Sequence, residues 1–99
     1  MARVVLAPEV LEDFDRFFAH MASFDVVDAA ERIADIIQAI DILSHSPLIG
    51  RPARSGKCEL VIGRGARGYI ALYRFVSGID SVFVLALRNQ REVGQKHGQ

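Results

Sequence analysis

The sequence predicts an α+β domain in which a helical hairpin packs on one face of a mainly antiparallel sheet. Its 99 residues suffice for one hydrophobic core but not two, so residues 1–99 are expected to form a single domain. Apolar residues recur at helical spacing in the first half, and three short apolar runs separated by glycine-containing turns follow in the second. With one N-terminal strand, the expected order is β-α-α-β-β-β.

The first half is predicted to hold a strand and two helices. Arg3–Leu6 is a short apolar strand, and Pro8 suits the first turn of a helix, where its missing N–H costs nothing. This helix carries one apolar stripe: Val10, Leu11, Phe14, Phe17, Phe18 and Met21. Asp25 is the expected N-cap of a second helix that ends near Ser44, before Pro47. The stripe of this helix is Ala30, Ile33, Ile36, Ile37, Ile40 and Leu43.

The second half is predicted to form a loop and a three-stranded meander. Residues 47–57 are rich in Gly, Pro and Arg and are expected to be a loop. The predicted strands are Cys58–Ile62, Tyr69–Val76 and Ser81–Arg88, joined by turns at residues 63–68 and 77–80.

Neither face of this meander is polar. One face of the middle strand holds Ile70, Leu72, Arg74 and Val76, and the other holds Tyr69, Ala71, Tyr73 and Phe75. In the last strand, strict alternation places Phe83, Leu85 and Leu87 on one face and Val82, Val84 and Ala86 on the other. Two helices can cover only one face, so the second face is expected to receive a partner.

The net charge of zero conceals a separation of charge along the chain. Residues 1–50 contain nine acids and three bases, and residues 51–99 contain nine bases and three acids. This asymmetry indicates either a basic second half that meets a nucleic acid or an acidic protein, or two halves that pair with each other. The single cysteine, Cys58, excludes an internal disulfide and fits a reducing cytoplasm. No apolar run is long enough to span a membrane, and no signal segment is present.

The sequence lacks the residue patterns that most catalytic sites require. His20, His45 and His97 have no metal-ligand spacing, and no metal or other cofactor is expected. The glycine-rich segment 63–68 lacks the Lys-Ser ending of a phosphate-binding loop, so it is predicted to be a hairpin tip that exposes Arg64 and Arg67.

Basic residues on and after the last two strands remain as candidates. Arg74, Arg88 and Arg91 are weak catalytic candidates, because arginine binds phosphates and carboxylates well but does not readily give up its proton. Binding is therefore favoured over catalysis.

The order of elements, together with three motifs, resembles the RelE/ParE toxin superfamily of bacterial type II toxin–antitoxin and plasmid-stabilisation modules. The motifs are the Pro47-x-Ile49-Gly50-Arg51-Pro52 loop, Gly68–Phe75 and Val84–Gly94. RelE-like members cleave messenger RNA at the ribosome with lysines and arginines on the sheet and a C-terminal tyrosine. ParE-like members share the fold and inhibit DNA gyrase.

When the functional positions of the RelE-like members are matched to this sequence, the resemblance favours the ParE-like branch. The RelE-type lysine positions fall at about Leu60 and Ile62, an arginine position is Ile70, and the C-terminal tyrosine position is Gln95. Apolar side chains neither stabilise a developing phosphate charge nor transfer a proton. The arginine after the last strand is retained as Arg88 or replaced by Asn89.

The resemblance implies a cytoplasmic bacterial toxin that arrests growth and is neutralised by a cognate antitoxin, which is acidic, partly disordered and DNA-binding. The leading hypothesis is a gyrase inhibitor without chemistry of its own. The alternatives are a ribosome-dependent ribonuclease with an atypical site, and a degenerate, non-toxic protein that binds an antitoxin. Target binding is assigned to Arg64, Arg67, Arg88, Arg91 and Glu92. Antitoxin binding is assigned to Leu72, Tyr73, Arg74, Phe75 and Leu85.

Overall fold

A computed structural model describes residues 1–23, 29–63 and 68–89 of the chain. The elements in these ranges are β1 (Arg3–Leu6), α1 (Pro8–Ser23), α2 (Ala29–Ile42), β2 (Arg51–Pro52), β3 (Cys58–Ile62), β4 (Tyr69–Val76) and β5 (Ser81–Asn89). Short 3₁₀ turns occur at Arg54–Gly56 and Ser77–Ile79. The predicted α+β order is confirmed, and the predicted strand bounds agree with the structure to within one residue. The predicted cap Asp25 lies outside the described residues.

The strands form one five-stranded sheet in the order β1-β5-β4-β3-β2. The meander β3-β4-β5 is antiparallel, as predicted, and β1 pairs in parallel with β5 from Arg3 opposite Ser81 to Leu6 opposite Val84. At the other edge, β2 forms a two-residue antiparallel ladder with β3. Strand β2 was not predicted, because a two-residue strand next to Pro52 has the composition of a loop.

The core lies between the two helices and one face of the sheet. The helices contribute Val10, Phe17, Met21, Ile36 and Ile40, the turn after α2 contributes Leu43, and the strands contribute Ile62, Tyr69, Ala71, Tyr73, Val82, Val84 and Leu87. Not all of the predicted helical stripes are buried. Leu11, Phe18 and Ile37 are each more than half exposed, because two helices on a five-stranded sheet bury only the residues that point directly at it.

A β-bulge in β5 overturns the predicted alternation of that strand. Val84 pairs with Tyr73 and Ala86 pairs with Leu72, which leaves Leu85 without a partner across the ladder. The extra residue shifts the side-chain register, so Leu87 points to the helices together with Val82 and Val84. The prediction that Leu87 shares a face with Phe83 and Leu85 was therefore wrong.

No helix of the described residues is long and apolar enough to cross a membrane.

Candidate interaction surfaces

The sheet face opposite the helices, called the outer face below, is apolar in its centre and basic at its margins. On β4, Ile70 is 4% exposed and Leu72 and Val76 are half-buried, whereas Arg74 is exposed. The paired positions on β5 are Ser81, Phe83, Ala86 and Arg88. Such an apolar floor with arginines at its edge fits the expectation that the second sheet face receives a partner.

The arginines at one end of the outer face are held in place by neighbouring groups. The Arg74 guanidinium donates a hydrogen bond of 2.7 Å to the carbonyl of Ser55, which has a left-handed backbone conformation at a φ of 60°. Arg51 pairs with Glu59 at 3.2 Å across the β2–β3 ladder. Arg74 therefore ties the turn after β2 to the sheet as well as carrying a surface charge.

The candidate catalytic arginines do not converge. Arg74 pairs with Phe83, and Arg88 pairs with Ile70, four residues away along β4. At roughly 3.3 Å per residue, the backbones of the two arginines are separated by about 13 Å along the sheet, and the Arg74 guanidinium is bonded to the Ser55 carbonyl. Among the described residues of β3, β4 and β5, no histidine, cysteine or tyrosine faces outward, and the carboxylate that does face outward, Glu59, is paired with Arg51.

The positions compared with RelE-type lysines lie on the other side of the sheet. Leu60 pairs with Ala71 and Ile62 pairs with Tyr69, and both leucine and isoleucine contact the helix-side core. The residues of β3 that face outward are Glu59 and Val61. Neither is a lysine, so the outer face lacks these groups whichever register is used for the comparison.

The end of β5, which carries Arg88, is fixed by an unusual partner. Strand β1 ends at Leu6, opposite Val84, and the next part of β5 has no strand on that side. The carboxylate of Asp13 on α1 takes that place: it accepts a hydrogen bond of 2.9 Å from the Leu87 N–H and pairs with Arg16 at 3.2 Å. Asp13 is only 9% exposed. Nothing in the sequence distinguishes Asp13, because it resembles any acid in the first turns of a helix.

The five residues assigned to antitoxin binding do not form one surface. Leu72 and Arg74 lie on the outer face, and Leu85 lies at the bulge. Phe75 packs against the helix-side core. Tyr73 is 0% exposed and also faces the helices, so it has no surface to offer a partner, and its assignment was wrong.

Tyr73 instead anchors the loop that precedes β2. Its hydroxyl oxygen accepts a hydrogen bond of 2.9 Å from the Gly50 N–H, and the thiol of Cys58 contacts the same hydroxyl. Burial raises the pKa of the Tyr73 phenol above its ordinary value of 10.0, and the hydrogen bond from Gly50 offsets part of this rise. Cys58 thus lies half-buried beside the core.

Replacing Tyr73 by phenylalanine is expected to lower the free energy of unfolding by about 1 kcal/mol, because the Gly50 N–H loses its acceptor. Chemical denaturation at pH 7 measures this. The folded protein holds the phenol proton more tightly than the unfolded chain. The contribution of the phenol to the free energy of unfolding is therefore complete below a pH of about 10, and it is lost as the pH rises through the pKa of the phenol in the folded protein. An equal loss of stability at alkaline pH in the phenylalanine variant would contradict this assignment.

A groove that sequence reasoning missed lies between α2 and the free edge of β3; we call it the α2–β3 groove. Its volume is about 320 Å³. Its lining consists of Asp35, Gln38, Ala39, Ile42, Ile49, Leu60, Val61, Ile62 and Gly63. The groove arises because β2 pairs with only the first two residues of β3. The sequence gives no sign that this ladder is so short.

Four of the residues assigned to target binding or catalysis lie outside the described residues: Arg64, Arg67, Arg91 and Glu92. The compared position Gln95 does so as well. Arg88 is the assigned target-binding residue that the structure describes, and it is exposed at the end of β5. No group of three or more potential metal ligands occurs within the described part of the chain.

Comparison with known proteins gives the family. A model of the ParE toxin of the type II toxin–antitoxin system parDE matches residues 4–94. The chain belongs to the ParE toxin family. No curated protein sequence matches the chain significantly.

Two solved structures share the fold of this ParE-family chain. One, the chromosomal ParDE toxin–antitoxin system from P. aeruginosa, has a TM-score of 0.73 and 18% identity, with 90% of this chain and 96% of that chain covered. The other is the toxin–antitoxin complex RelBE2 from Mycobacterium tuberculosis, with a TM-score of 0.56, 22% identity, and coverage of 89% and 96%. Both likenesses confirm the fold predicted for the ParE-family chain.

Proposed function

We propose that this ParE-family protein is a growth-arresting toxin that inhibits DNA gyrase by binding and is neutralised by a cognate antitoxin. The observation that carries the proposal is the composition of the outer face. Among the described residues, this face holds exposed arginines and an apolar floor, no histidine, cysteine or tyrosine points outward from it, and its carboxylate, Glu59, is paired with Arg51. Such a surface suits docking rather than proton transfer.

The geometry of the arginines supports the same proposal. Arg74 and Arg88 are about 13 Å apart along the sheet, and Arg74 is engaged by the Ser55 carbonyl. A ribonuclease of this fold would need several charged groups around one phosphate. Arg88 stands exposed at the end of a strand whose position is fixed by Asp13, which is suitable for contact with a large partner. We assign Arg88 to target docking.

The antitoxin partner follows from the family and from the surfaces left uncovered. The two solved structures named above are described as a toxin–antitoxin system and a toxin–antitoxin complex. We propose that an acidic, partly disordered antitoxin folds onto this chain and supplies any contact with DNA, in the bacterial cytoplasm. The separation of charge supports this: α1 and α2 carry most of the acids, and the sheet carries most of the described arginines.

Induced expression in bacteria without the antitoxin tests the proposal. We expect growth arrest together with gyrase-linked breaks in plasmid DNA, and restored growth when the antitoxin is co-expressed. Primer extension on translated messages is the second arm. Cleavage within codons, without gyrase-linked breaks, would establish the ribosome-dependent ribonuclease instead. Unimpaired growth at high expression would favour the non-toxic antitoxin-binding protein.

A further inference from the structure

Three large apolar side chains of the helical layer remain in contact with water. Leu11, Phe18 and Ile37 are 56%, 53% and 55% exposed. At about 100° per residue, Leu11 and Phe18 lie on the side of α1 opposite to Asp13, which turns toward the edge of β5 beyond β1. Ile37 likewise lies on the side of α2 opposite to Asp35, which lines the α2–β3 groove. The three side chains therefore line the space between the two helices, which we call the α1–α2 groove.

The margins of the α1–α2 groove are acidic. Helices α1 and α2 together carry seven acids and two arginines. Asp15 follows Leu11 by four residues and Asp41 follows Ile37 by four, so each of these exposed acids lies beside an apolar side chain of the groove. A partner that fits this surface is apolar at its centre and carries cations at its margin.

The outer face of the sheet has the complementary composition. Its apolar floor includes the half-buried side chains of Leu72, Val76 and Phe83. Residues 51–63 and 68–89, which form the sheet apart from β1, contain five bases and two acids. The helices pack on the other face of the same sheet. The acidic groove and the basic face therefore lie on opposite sides of the molecule.

A second copy of the chain meets the requirements of both surfaces. Its outer face offers an apolar floor and arginines to the α1–α2 groove, and the groove offers apolar side chains and acids to the floor. A sheet with helices on both faces buries both of its apolar faces. An acidic partner is disfavoured, because Asp15 and Asp41 repel it. Two α1–α2 grooves placed against each other also bring acids together, so a symmetric pairing through the helices is disfavoured.

We propose that copies of this chain associate head to tail, with the α1–α2 groove of one copy on the outer face of the next. A head-to-tail contact leaves one surface of each kind unused at the ends of the assembly, so association continues beyond a dimer. The contact concerns the chain by itself and does not depend on its target. If the proposed function holds, a copy whose outer face is covered in this way cannot present Arg88 to gyrase.

Sedimentation of the purified chain, without any partner, tests the association. We expect the average mass to rise with protein concentration and to exceed that of a dimer at the highest concentrations. It should fall when sodium chloride is raised to about 0.5 M, because salt screens the ion pairs at the margin. A wild-type protein that stays monomeric up to millimolar concentration would overturn the proposal.

Two variants each remove one surface. Leu11→Gln/Phe18→Gln makes the α1–α2 groove polar, and Arg74→Glu/Arg88→Glu reverses the charge of the outer face; all four side chains are exposed. Each variant should raise the dissociation constant of self-association at least tenfold. The matched controls are Leu48→Gln, in the loop after α2, and Arg74→Lys/Arg88→Lys, which keeps both charges. Each control should stay within threefold of the wild type. Thermal unfolding verifies that every variant is folded.

A mixture of the two variants distinguishes a head-to-tail contact from other arrangements. Each variant keeps the surface that the other has lost, so the equimolar mixture should form a one-to-one pair that does not grow further. A mixture of folded variants that remains monomeric would overturn the proposal. So would wild-type self-association of Arg74→Glu/Arg88→Glu alone, which would show that the outer face takes no part. Neither readout involves gyrase, so a failure here leaves the proposed function untouched, and the reverse also holds.

Discussion

Replacing Gly50 by alanine is expected to lower the free energy of unfolding by about 3 kcal/mol. A Cβ at this position would lie 2.6 Å from the Tyr73 hydroxyl and 2.7 Å from the carbonyl oxygen of Glu59. The Glu59 contact is with backbone in a paired strand, which cannot move without breaking the β2–β3 ladder. Overpacking costs about 1–3 kcal/mol, and displacing the loop would add the loss of the hydrogen bond from Gly50 to Tyr73.

Urea denaturation of Gly50→Ala measures this loss, and Gly78→Ala is the matched control. A Cβ at Gly78 would meet no atom within 4 Å, and the residue is exposed in the turn before β5. The control should be neutral or stabilised by about 0.5 kcal/mol, because alanine restricts the unfolded chain. Equal stabilities for the two variants would show that the loop does not pack on Tyr73 as described.

Replacing Asp13 by alanine is expected to lower the free energy of unfolding by about 2 kcal/mol. The change removes the carboxylate that accepts the Leu87 N–H, inside a region where water does not readily replace it. A hydrogen bond to a charged group contributes about 1.5–3 kcal/mol, and the orphaned N–H adds to the loss. Asp13→Asn retains an acceptor oxygen and should lose less.

The control for Asp13 is Asp15→Ala, an exposed acid two residues further along α1. Its stability should change by less than about 0.5 kcal/mol. Amide hydrogen exchange localises the effect, because the Leu87 amide should exchange faster in Asp13→Ala than in Asp15→Ala. Unchanged protection of Leu87 in a destabilised Asp13→Ala protein would mean that the carboxylate acts elsewhere.

Local patterns were sufficient to predict the strands and the overall order of elements. Arg3–Leu6, Cys58–Ile62 and Tyr69–Val76 are apolar runs bounded by proline or glycine, and the structure gives them the same bounds. The burial of individual residues agreed less well with the prediction from the sequence. The helical stripes contained more apolar residues than the core accepts, as the exposure of Leu11 and Phe18 shows.

The features that escaped prediction depend on contacts between distant residues. The bulge at Leu85 has no signature of its own, because β5 is apolar at almost every position and tolerates either register. Asp13 acquires its role only because β1 ends at Leu6 and leaves the Leu87 N–H without a strand partner. Likewise, the α2–β3 groove exists only because β2 is two residues long.

The sequence shows which residue types are present at the candidate site but not how they are arranged. The absence of RelE-type lysines from Leu60 and Ile62 was read from the sequence, and the structure adds that both side chains face the core. The α1–α2 groove could not be read from the sequence. It depends on Leu11, Phe18 and Ile37 being exposed, whereas their spacing places them on the apolar stripes of the helices.

We propose that this protein acts on DNA gyrase by binding, with Arg88 at the contact. A supercoiling assay with purified gyrase and relaxed plasmid tests it most directly. We expect inhibition that saturates as the protein is titrated, at least tenfold weaker inhibition by Arg88→Ala, and unchanged inhibition by Ile49→Glu. Undiminished supercoiling at micromolar concentrations of folded wild-type protein would contradict the account.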